Sequence, residues 1–316
     1  MNMLITGGAG FIGSHFLKFM TEKYPYYNFV NLDKLTYSGN ENNLIKLDYL
    51  KNYSFIEGNI TDKNIVTDII RKNDIQIIVN IAAETHVDRS ISNSSPFIQT
   101  NIVGTHQLLE ACCEFNGIKF IQISTDEVYG SLSKGMFTEY SNLSPNNPYS
   151  ASKAGADMLV KSYYHTFGLD VNVTRCTNNY GPNQYPEKLI PLTIKKILEG
   201  KKIELYGNGL NVRDWIYVKD HCSAIDAVIH RGVPGEIYNI GANNEKSNID
   251  IVKTILDILD ESIDKIEFIP DRLGHDRRYA LDSSKIKREL KWAPAYSFYD
   301  SLKHTVLWYA NYQNLK

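Results

Sequence analysis

The sequence predicts an α/β fold built on a doubly wound parallel sheet, with a smaller, mostly C-terminal domain. Three observations predict it. Short apolar runs alternate with helix-length stretches through the first half of the chain, a glycine triplet separates the first run from the first helix, and the texture changes after about residue 180. In order, the runs at 3–6, 29–32, 54–56, 75–79, 119–123 and 170–173 read as buried strands, and the stretches near 11–22, 62–72, 96–116 and 148–167 read as helices. Strict alternation implies βαβ units, hence a parallel sheet covered on both faces, with right-handed crossovers and ligands at the carboxyl ends of the strands. Beyond 180 come Pro182, Pro186 and Pro191, a Gly207-Asn-Gly209 turn and loop-rich segments. The division expected is 1–180 for the sheet domain and 181–316 for the smaller one, with the run near 236–240 returning a strand to the sheet.

At 316 residues the chain exceeds what one core usually fills, so a second unit is in keeping with its length. Lys+Arg and Asp+Glu nearly balance, 34 against 36, so no basic excess points to nucleic acid and an anionic substrate must be held by local cations. Cys112, Cys113, Cys176 and Cys222 lack metal-ligand spacing and read as buried thiols in a reducing compartment. A first strand starting by Met3 leaves no room for a leader, and no apolar run approaches the ~20 residues of a membrane span, so a cytoplasmic protein without a membrane partner is expected.

Gly7-Gly-Ala-Gly10-Phe-Ile-Gly13 lies between the first strand and the first helix. A tight turn needs Gly7, a pyrophosphate needs a backbone free of Cβ at Gly10, and close packing needs Gly13; the amides and dipole of the helix start then hold the phosphates. Asp33 ends the second strand 20 residues past Gly13, where a carboxylate suits the ribose hydroxyls of NAD and repels a 2′-phosphate, with Lys34 next to it. Tyr149-Ser-Ala-Ser-Lys153 opens a helix, so its phenol and ammonium share one face. A phenol of pKa near 10 is a poor base, and the expectation is that the Lys153 charge lowers it. With the glycine loop, this pair is similar to that of the extended short-chain dehydrogenase/reductase superfamily, a Rossmann-type fold whose members mostly act on nucleotide sugars.

Ser124-Thr-Asp-Glu-Val-Tyr-Gly130 follows the fifth strand and places two adjacent carboxylates beside the redox pair. Oxidation of a hydroxyl does not use them. Two acids next to an oxidant suggest proton transfer on carbons beside a carbonyl, one removing an α-proton and the other protonating a leaving hydroxyl. With the stretches 33–39, 82–90, 178–182, 187–191, 213–215, 244–246 and 274–279, these residues give a chain that resembles the dTDP-glucose 4,6-dehydratase family along essentially its whole length. Asp126 is the discriminating residue, because related epimerases usually carry Ser-Ser at this point and other sugar-nucleotide dehydratases and decarboxylases Thr-Ser-Glu.

The resemblance implies dTDP-glucose as substrate and NAD as a cofactor regenerated at each turnover. Tyr149 and Thr125 would engage the sugar 4-hydroxyl as the C4 hydride passes to NAD, Glu127 would remove the C5 proton, and Asp126 would protonate the departing C6 hydroxyl before the hydride returns to C6. Lys153 would support Tyr149. The family pattern puts Gly7, Gly10, Phe11, Ile12, Gly13, Asp33, Lys34, Leu35, Thr36, Asn59, Ile60, Ala82, Ala83, Thr100, Tyr149, Lys153 and Asn179 at the cofactor. It puts His86, Thr125, Asn178, Lys188, Leu189, Tyr206, Arg213, Asn248, Arg272 and His275 at the sugar nucleotide, with no metal. Lys188, Arg213 and Arg272 suit a diphosphate, and Tyr206 a pyrimidine face. Three residues depart from the pattern: Asn59 stands for Asp, Glu204 for Pro beside the base pocket, and Leu273 for Pro. A nucleotide-sugar 4-epimerase would leave Asp126 and Glu127 idle, a UDP-sugar dehydratase would share the acids, and a non-catalytic NAD-binding regulator would be expected to lack Tyr149, Lys153 or Glu127. A homodimer through a four-helix interface of the stretches 96–116 and 148–167 is also implied, with Ile98, Ile102, Leu109 and Cys112 at helical spacing and core packing an equal explanation for some of them.

Overall fold

A computed structural model describes residues 1–271 and 275–313 of the protein. Its strands are β1 (Asn2–Thr6), β2 (Asn28–Asp33), β3 (Tyr53–Glu57), β4 (Ile77–Asn80), β5 (Lys119–Thr125), β6 (Val171–Cys176), β7 (Asn178–Tyr180), β8 (Ile203–Tyr206), β9 (Val212–Tyr217), β10 (Ile237–Ile240), β11 (Glu245–Ser247) and β12 (Ile266–Ile269). Its helices are α1 (Phe11–Lys23), α2 (Lys63–Asn73), α3 (Val87–Ser92), α4 (Ser95–Phe97), α5 (Thr105–Glu114), α6 (Pro148–Phe167), α7 (Leu189–Leu198), α8 (Val218–Arg231), α9 (Asn248–Ile258), α10 (Ser284–Leu290) and α11 (Phe298–Gln313). Seven strands form one sheet in the order β10-β6-β5-β4-β1-β2-β3. Every pairing in it is parallel. This is the doubly wound Rossmann-type arrangement, in which the order reverses between β1 and β4 and opens a crevice at the carboxyl edge.

The apolar runs are nearly continuous because successive side chains of each strand enter different cores. Met3 and Ile5 join Ile77, Val79, Ile121 and the helices α1 and α8 on one face. Leu4 joins Val30, Ile78, Phe120 and the helices α2, α5 and α6 on the other. Polar residues interrupt this only where they satisfy one another. Asn80 accepts from Thr6 Oγ1 (2.7 Å) and donates to Gln122 Oε1 (2.9 Å), so β4 runs on past the apolar residues to Asn80. Ile237–Ile240 adds to the sheet edge beside β6. After β6 the chain builds a three-stranded sheet β11-β9-β7 and the pair β12-β8, packed with α7, α9 and α11. Among the described residues no helix is long and apolar enough to cross a membrane.

The stretch expected as one helix over 96–116 is instead broken. Between α4 and α5 the residues Ile98–Gly104 wind as a wide π-helical segment. The widening turns Asn101 inward, where its amide accepts from Glu84 N–H (2.9 Å) and donates to Glu84 O (3.0 Å) and Ser152 Oγ (2.8 Å). Such segments occur where a side chain is needed at a site, and Thr100 beside it lines the cleft described below. Leu109 and Cys112 are fully buried against the sheet, which removes them from any subunit interface, while Ile98 is exposed and Ile102 half-buried.

A buried ion pair ties the sheet to α6. Arg175 of β6 donates through Nε to Asp157 Oδ2 (2.8 Å) and through Nη1 to the Tyr129 hydroxyl (2.9 Å), which donates to Asn239 Oδ1 (2.8 Å). Removing one partner leaves a buried charge uncompensated, a loss of about 3–5 kcal/mol, whereas replacing both by apolar residues is far milder. Asp157→Ala should therefore lower unfolding free energy by that amount in urea titrations, and Asp157→Leu with Arg175→Met by clearly less. A double variant as unstable as the single one would contradict the assignment.

Candidate active site

The crevice is a continuous cleft lined from three sides: the turn after β1 with the end of β2, the ends of β4 and β5 with the start of α6, and the segment from β6 to α7. Gly7 has a left-handed φ of +71°, and a Cβ there would lie 2.7 Å from Ala82 Cα. A Cβ at Gly13 would lie 2.2 Å from the Gly7 carbonyl, so this glycine lets the helix fold back onto its own turn rather than onto a neighbouring strand. At Gly10 the nearest atom is Gly7 O at 3.3 Å, which leaves its outer face open to a ligand. Asp33 holds the turn through both carboxylate oxygens, accepting from Ala9 N–H (2.9 Å) and Leu35 N–H (2.9 Å). Asn31 accepts from Gly8 N–H (3.0 Å) and completes the clamp. Lys34 turns to Thr100 Oγ1 (2.9 Å) and Glu84 (3.5 Å). Asn59 lines the cleft and its amide oxygen accepts from Thr61 N–H (3.1 Å).

The walls fit a dinucleotide. The glycine cradle opens on the helix start, Asp33 stands at the end of β2, and the buried hydroxyls of Ser124 and Thr177 face the cleft region without a partner among the described residues. Of the sequence-derived cofactor residues, all but Leu35 line the cleft; Leu35 packs its side chain against the core, in a left-handed backbone with φ +50°.

Tyr149 sits in the first turn of α6, set by Pro148 at N1 and by a capping box in which Asn147 and Ser150 bond reciprocally. Asn147 also donates to Glu127 Oε2 (3.5 Å), so one residue caps the helix carrying the phenol and touches the acid pair. Thr125 ends β5, caps the short turn of Asp126 and Glu127, and donates to Asp126 Oδ1 (3.2 Å). Asp126 Oδ2 is buried without a hydrogen-bond partner among the described residues. Burial, then the charge of Glu127, pushes the Asp126 carboxyl well above the usual carboxylate range, against a weaker pull from Arg213.

The redox pair differs from the sequence expectation. Burial, then Glu127, pushes the Tyr149 phenol well above its usual value against a weaker pull from the Thr125 hydroxyl, and Lys153 is not among the main influences on it. The reason is geometric: the Lys153 ammonium donates to the Ile123 carbonyl (2.6 Å), and burial lowers its own pKa. The four-residue spacing puts both groups on one helix face but does not choose the partner of the ammonium.

Of the residues assigned to the sugar nucleotide, Thr125, Asn178 and Lys188 line the cleft, and His86, Leu189, Tyr206, Arg213, Asn248 and His275 do not. Arg213 is buried, donates to the Asp276 carbonyl (2.8 Å) and stacks 4.3 Å over the Tyr279 ring. His86 caps α3 and lies 3.5 Å from Glu187, and burial lowers its pKa. His275 pairs with Asp271 (2.5 Å), and Tyr206 lies edge-on to it. Glu204 is paired with Lys196 (3.5 Å) on an exposed strand face, which offsets its charge. Arg272 and Leu273 lie outside the described residues. Sequence reasoning missed Ser124, Cys176, Thr177 and Glu187, which line the cleft, and His221, which donates to Asn179 Oδ1 (2.9 Å) while burial pushes it down to about 3. Only the position of the first three at strand ends could have signalled them; nothing local marks His221.

A glycine cradle on a parallel sheet, a buried Tyr–Lys pair and two carboxyl groups in one cleft define an NAD-dependent enzyme of the extended short-chain dehydrogenase/reductase class. The family model described as GDP-mannose 4,6 dehydratase matches residues 4–305. The chain is 48% identical to the low-salt glycan biosynthesis protein Agl12 of Haloferax volcanii, over 98% of each chain. It is 46% identical to a dTDP-glucose 4,6-dehydratase of Xanthomonas campestris pv. campestris, over 98% of this chain and 93% of that one. A crystal structure of dTDP-glucose 4,6-dehydratase from Bacillus anthracis in complex with NAD superposes with a TM-score of 0.94 at 51% identity, covering 99% and 98% of the two chains. The chain belongs to the GDP-mannose 4,6-dehydratase family.

A carboxyl whose folded pKa is raised contributes stability below its unfolded pKa, near 4, and loses it as pH rises towards the folded value. Asp126→Asn removes that loss. Its stability relative to wild type should therefore grow between about pH 4 and 7, by on the order of 1–3 kcal/mol, and vanish below pH 4. Urea titrations across this range check it; a difference that does not change with pH would refute the buried-acid assignment.

Proposed function

We infer that the protein is a dTDP-glucose 4,6-dehydratase, an NAD-dependent hydro-lyase that converts dTDP-glucose to the 4-keto-6-deoxy sugar and water. The observation that carries this is the acid pair: a buried Asp126 with one unpartnered carboxyl oxygen, next to Glu127 and in the same cleft as Tyr149. A 4-epimerase needs the phenol but has no task for two acids. Support comes from relatives of that name at 46% and 51% identity.

Bound NAD supplies the oxidant at C4 and the reductant at C6, and the glycine loop, Asp33, Lys153 and Asn179 would hold it. Tyr149, acting as its phenolate, would accept the proton of the sugar 4-hydroxyl, with Thr125 bonded to the same oxygen. The 4-ketone then acidifies C5–H, and Glu127 takes that proton. Asp126, kept neutral by its surroundings, gives its proton to the C6 hydroxyl so that it leaves as water, and Glu127 returns its proton to C5 as C6 is reduced. Lys188, Asn178 and Thr125 would meet the substrate directly; His86 would flank the nucleotide from the start of α3, and Arg213, Leu189, Tyr206, Asn248 and His275 from the part of the chain after 180. In this reading 1–180 with Ile237–Ile240 is the cofactor domain, which also lends His86, Thr125 and Asn178 to the sugar nucleotide, and 181–316 supplies the rest of the sugar-nucleotide site. An enzyme drawing on NAD and activated sugars belongs in the cytoplasm.

Three variants should fail at different stages, each by about 10²–10⁴-fold in product formation. Tyr149→Phe should give neither product nor deuterium at C5 of recovered substrate in heavy water. Glu127→Gln should also lack C5 exchange, whereas Asp126→Asn should retain it. Mass spectrometry of the sugar decides, and wild-type exchange in Glu127→Gln would remove Glu127 as the base.

A homodimer through the stretches 96–116 and 148–167 is part of the same proposal. Ile98, Met158 and Phe167 are 41%, 56% and 59% exposed on these packed stretches, more apolar surface than helices facing water need. Light scattering at micromolar concentration should give the dimer mass, and Met158→Lys should shift it towards monomer. A wild-type monomer would rule the interface out.

A further inference from the structure

One side-chain cluster joins the two banks of the cleft, and neither the glycine loop nor the acid pair uses it. Thr36, Ser38 and Thr85 line one bank; Tyr185, Glu187 and Lys188 line the other. Between them the Tyr37 hydroxyl donates to Glu187 Oε1 (3.2 Å), and Arg89 Nη2 lies 3.3 Å from Glu187 Oε2. The Arg89 guanidinium stacks 3.7 Å over the Tyr37 ring, and the Tyr185 ring meets Tyr37 edge-on at 5.2 Å. Beside them Lys188 Nζ donates to the Thr85 carbonyl (3.1 Å). Tyr37 follows β2, Arg89 belongs to α3, and Glu187 precedes α7, so three distant segments meet on one carboxylate.

We propose that Tyr37, Arg89 and Glu187 form a strap across the cleft that sets how slowly the dinucleotide leaves, with Tyr37 and Arg89 as positioning residues that act through Glu187. The inference rests on the NAD reading above. A reaction that oxidises and then reduces the same sugar gains nothing from cofactor exchange, and parting the banks must break the Tyr37–Glu187, Arg89–Glu187 and Lys188–Thr85 contacts together. The strap is partly ionic and half open to water, because the Arg89 side chain is 49% exposed. Its grip should therefore weaken with salt, as a purely apolar contact would not.

The test is the rate at which purified holoenzyme exchanges its dinucleotide for an excess of fluorescent etheno-NAD. Tyr37→Phe and Arg89→Ala should each release it on the order of 10-fold faster, and the double variant by less than the product of the two, because both act on one carboxylate. Wild-type release should accelerate with salt, and Arg89→Ala should flatten that dependence. Arg89 is half exposed, so its truncation spares the core and the salt dependence is readable even if Tyr37→Phe melts early. Release within 2-fold of wild type in both variants, or an unchanged salt slope in Arg89→Ala, would overturn the strap. A wild-type preparation with no dinucleotide to release would instead overturn the cofactor reading.

Discussion

The turn between β1 and α1 lies so close to the end of β4 that no side chain fits between Gly7 and Ala82, and most of the site follows from this contact. In this turn Gly8 and Ala9 donate their N–H groups to Asn31 and Asp33 in the second half of β2. That leaves the first turn of α1 pointing its remaining donors into the crevice, where phosphate charge is favoured. A Cβ at Gly7 would push the turn off the sheet, and the Asp33 clamp, the cradle at Gly10 and the axis of α1 would move with it.

Across the crevice the chemistry depends on burial. Asp126, Tyr149 and Lys153 are all nearly closed to solvent, and in each the charged form is disfavoured. For Asp126 this is what the proposed role requires, since a general acid must still hold its proton at neutral pH. For Tyr149 it runs against a simple picture of a phenolate prepared by a neighbouring lysine. The lysine donates to a backbone carbonyl, so the protein alone does not prepare the phenolate that the proposed base role requires. Functional groups held in this way oppose stability, and the Arg175–Asp157 pair and the Asn80–Gln122–Thr6 ladder hold the same strands and helix in place.

How far the fold and the site could be read in advance differs from residue to residue. The sheet, its parallel order and the glycine loop were legible because both faces of the strands are covered, which leaves uninterrupted apolar runs with few alternatives. Asp126, Glu127, Tyr149 and Lys153 were legible because their spacings are local: a strand end and one helical turn fix which way they face. The broken helix around Ile98–Gly104 was not, because its cause is Asn101 bonding to Glu84 and Ser152 far along the chain. Leu109 and Cys112 read equally well as core or interface, since helical periodicity reports a buried face and not what buries it.

What the sequence by itself determined is therefore the class of chemistry: a dinucleotide cradle, a phenol and two adjacent acids at the carboxyl edge of a parallel sheet. Local rules suffice for these, because turn geometry, helical pitch and strand alternation act within a few residues. What only the tertiary structure decided is whom each group meets. Lys153 reaches Ile123 O, Arg213 reaches the Asp276 carbonyl, and Glu187 gathers Tyr37 and Arg89 from two other segments. Those choices depend on distances between segments 30 or more residues apart, and these distances exist only once the chain has closed around the groups.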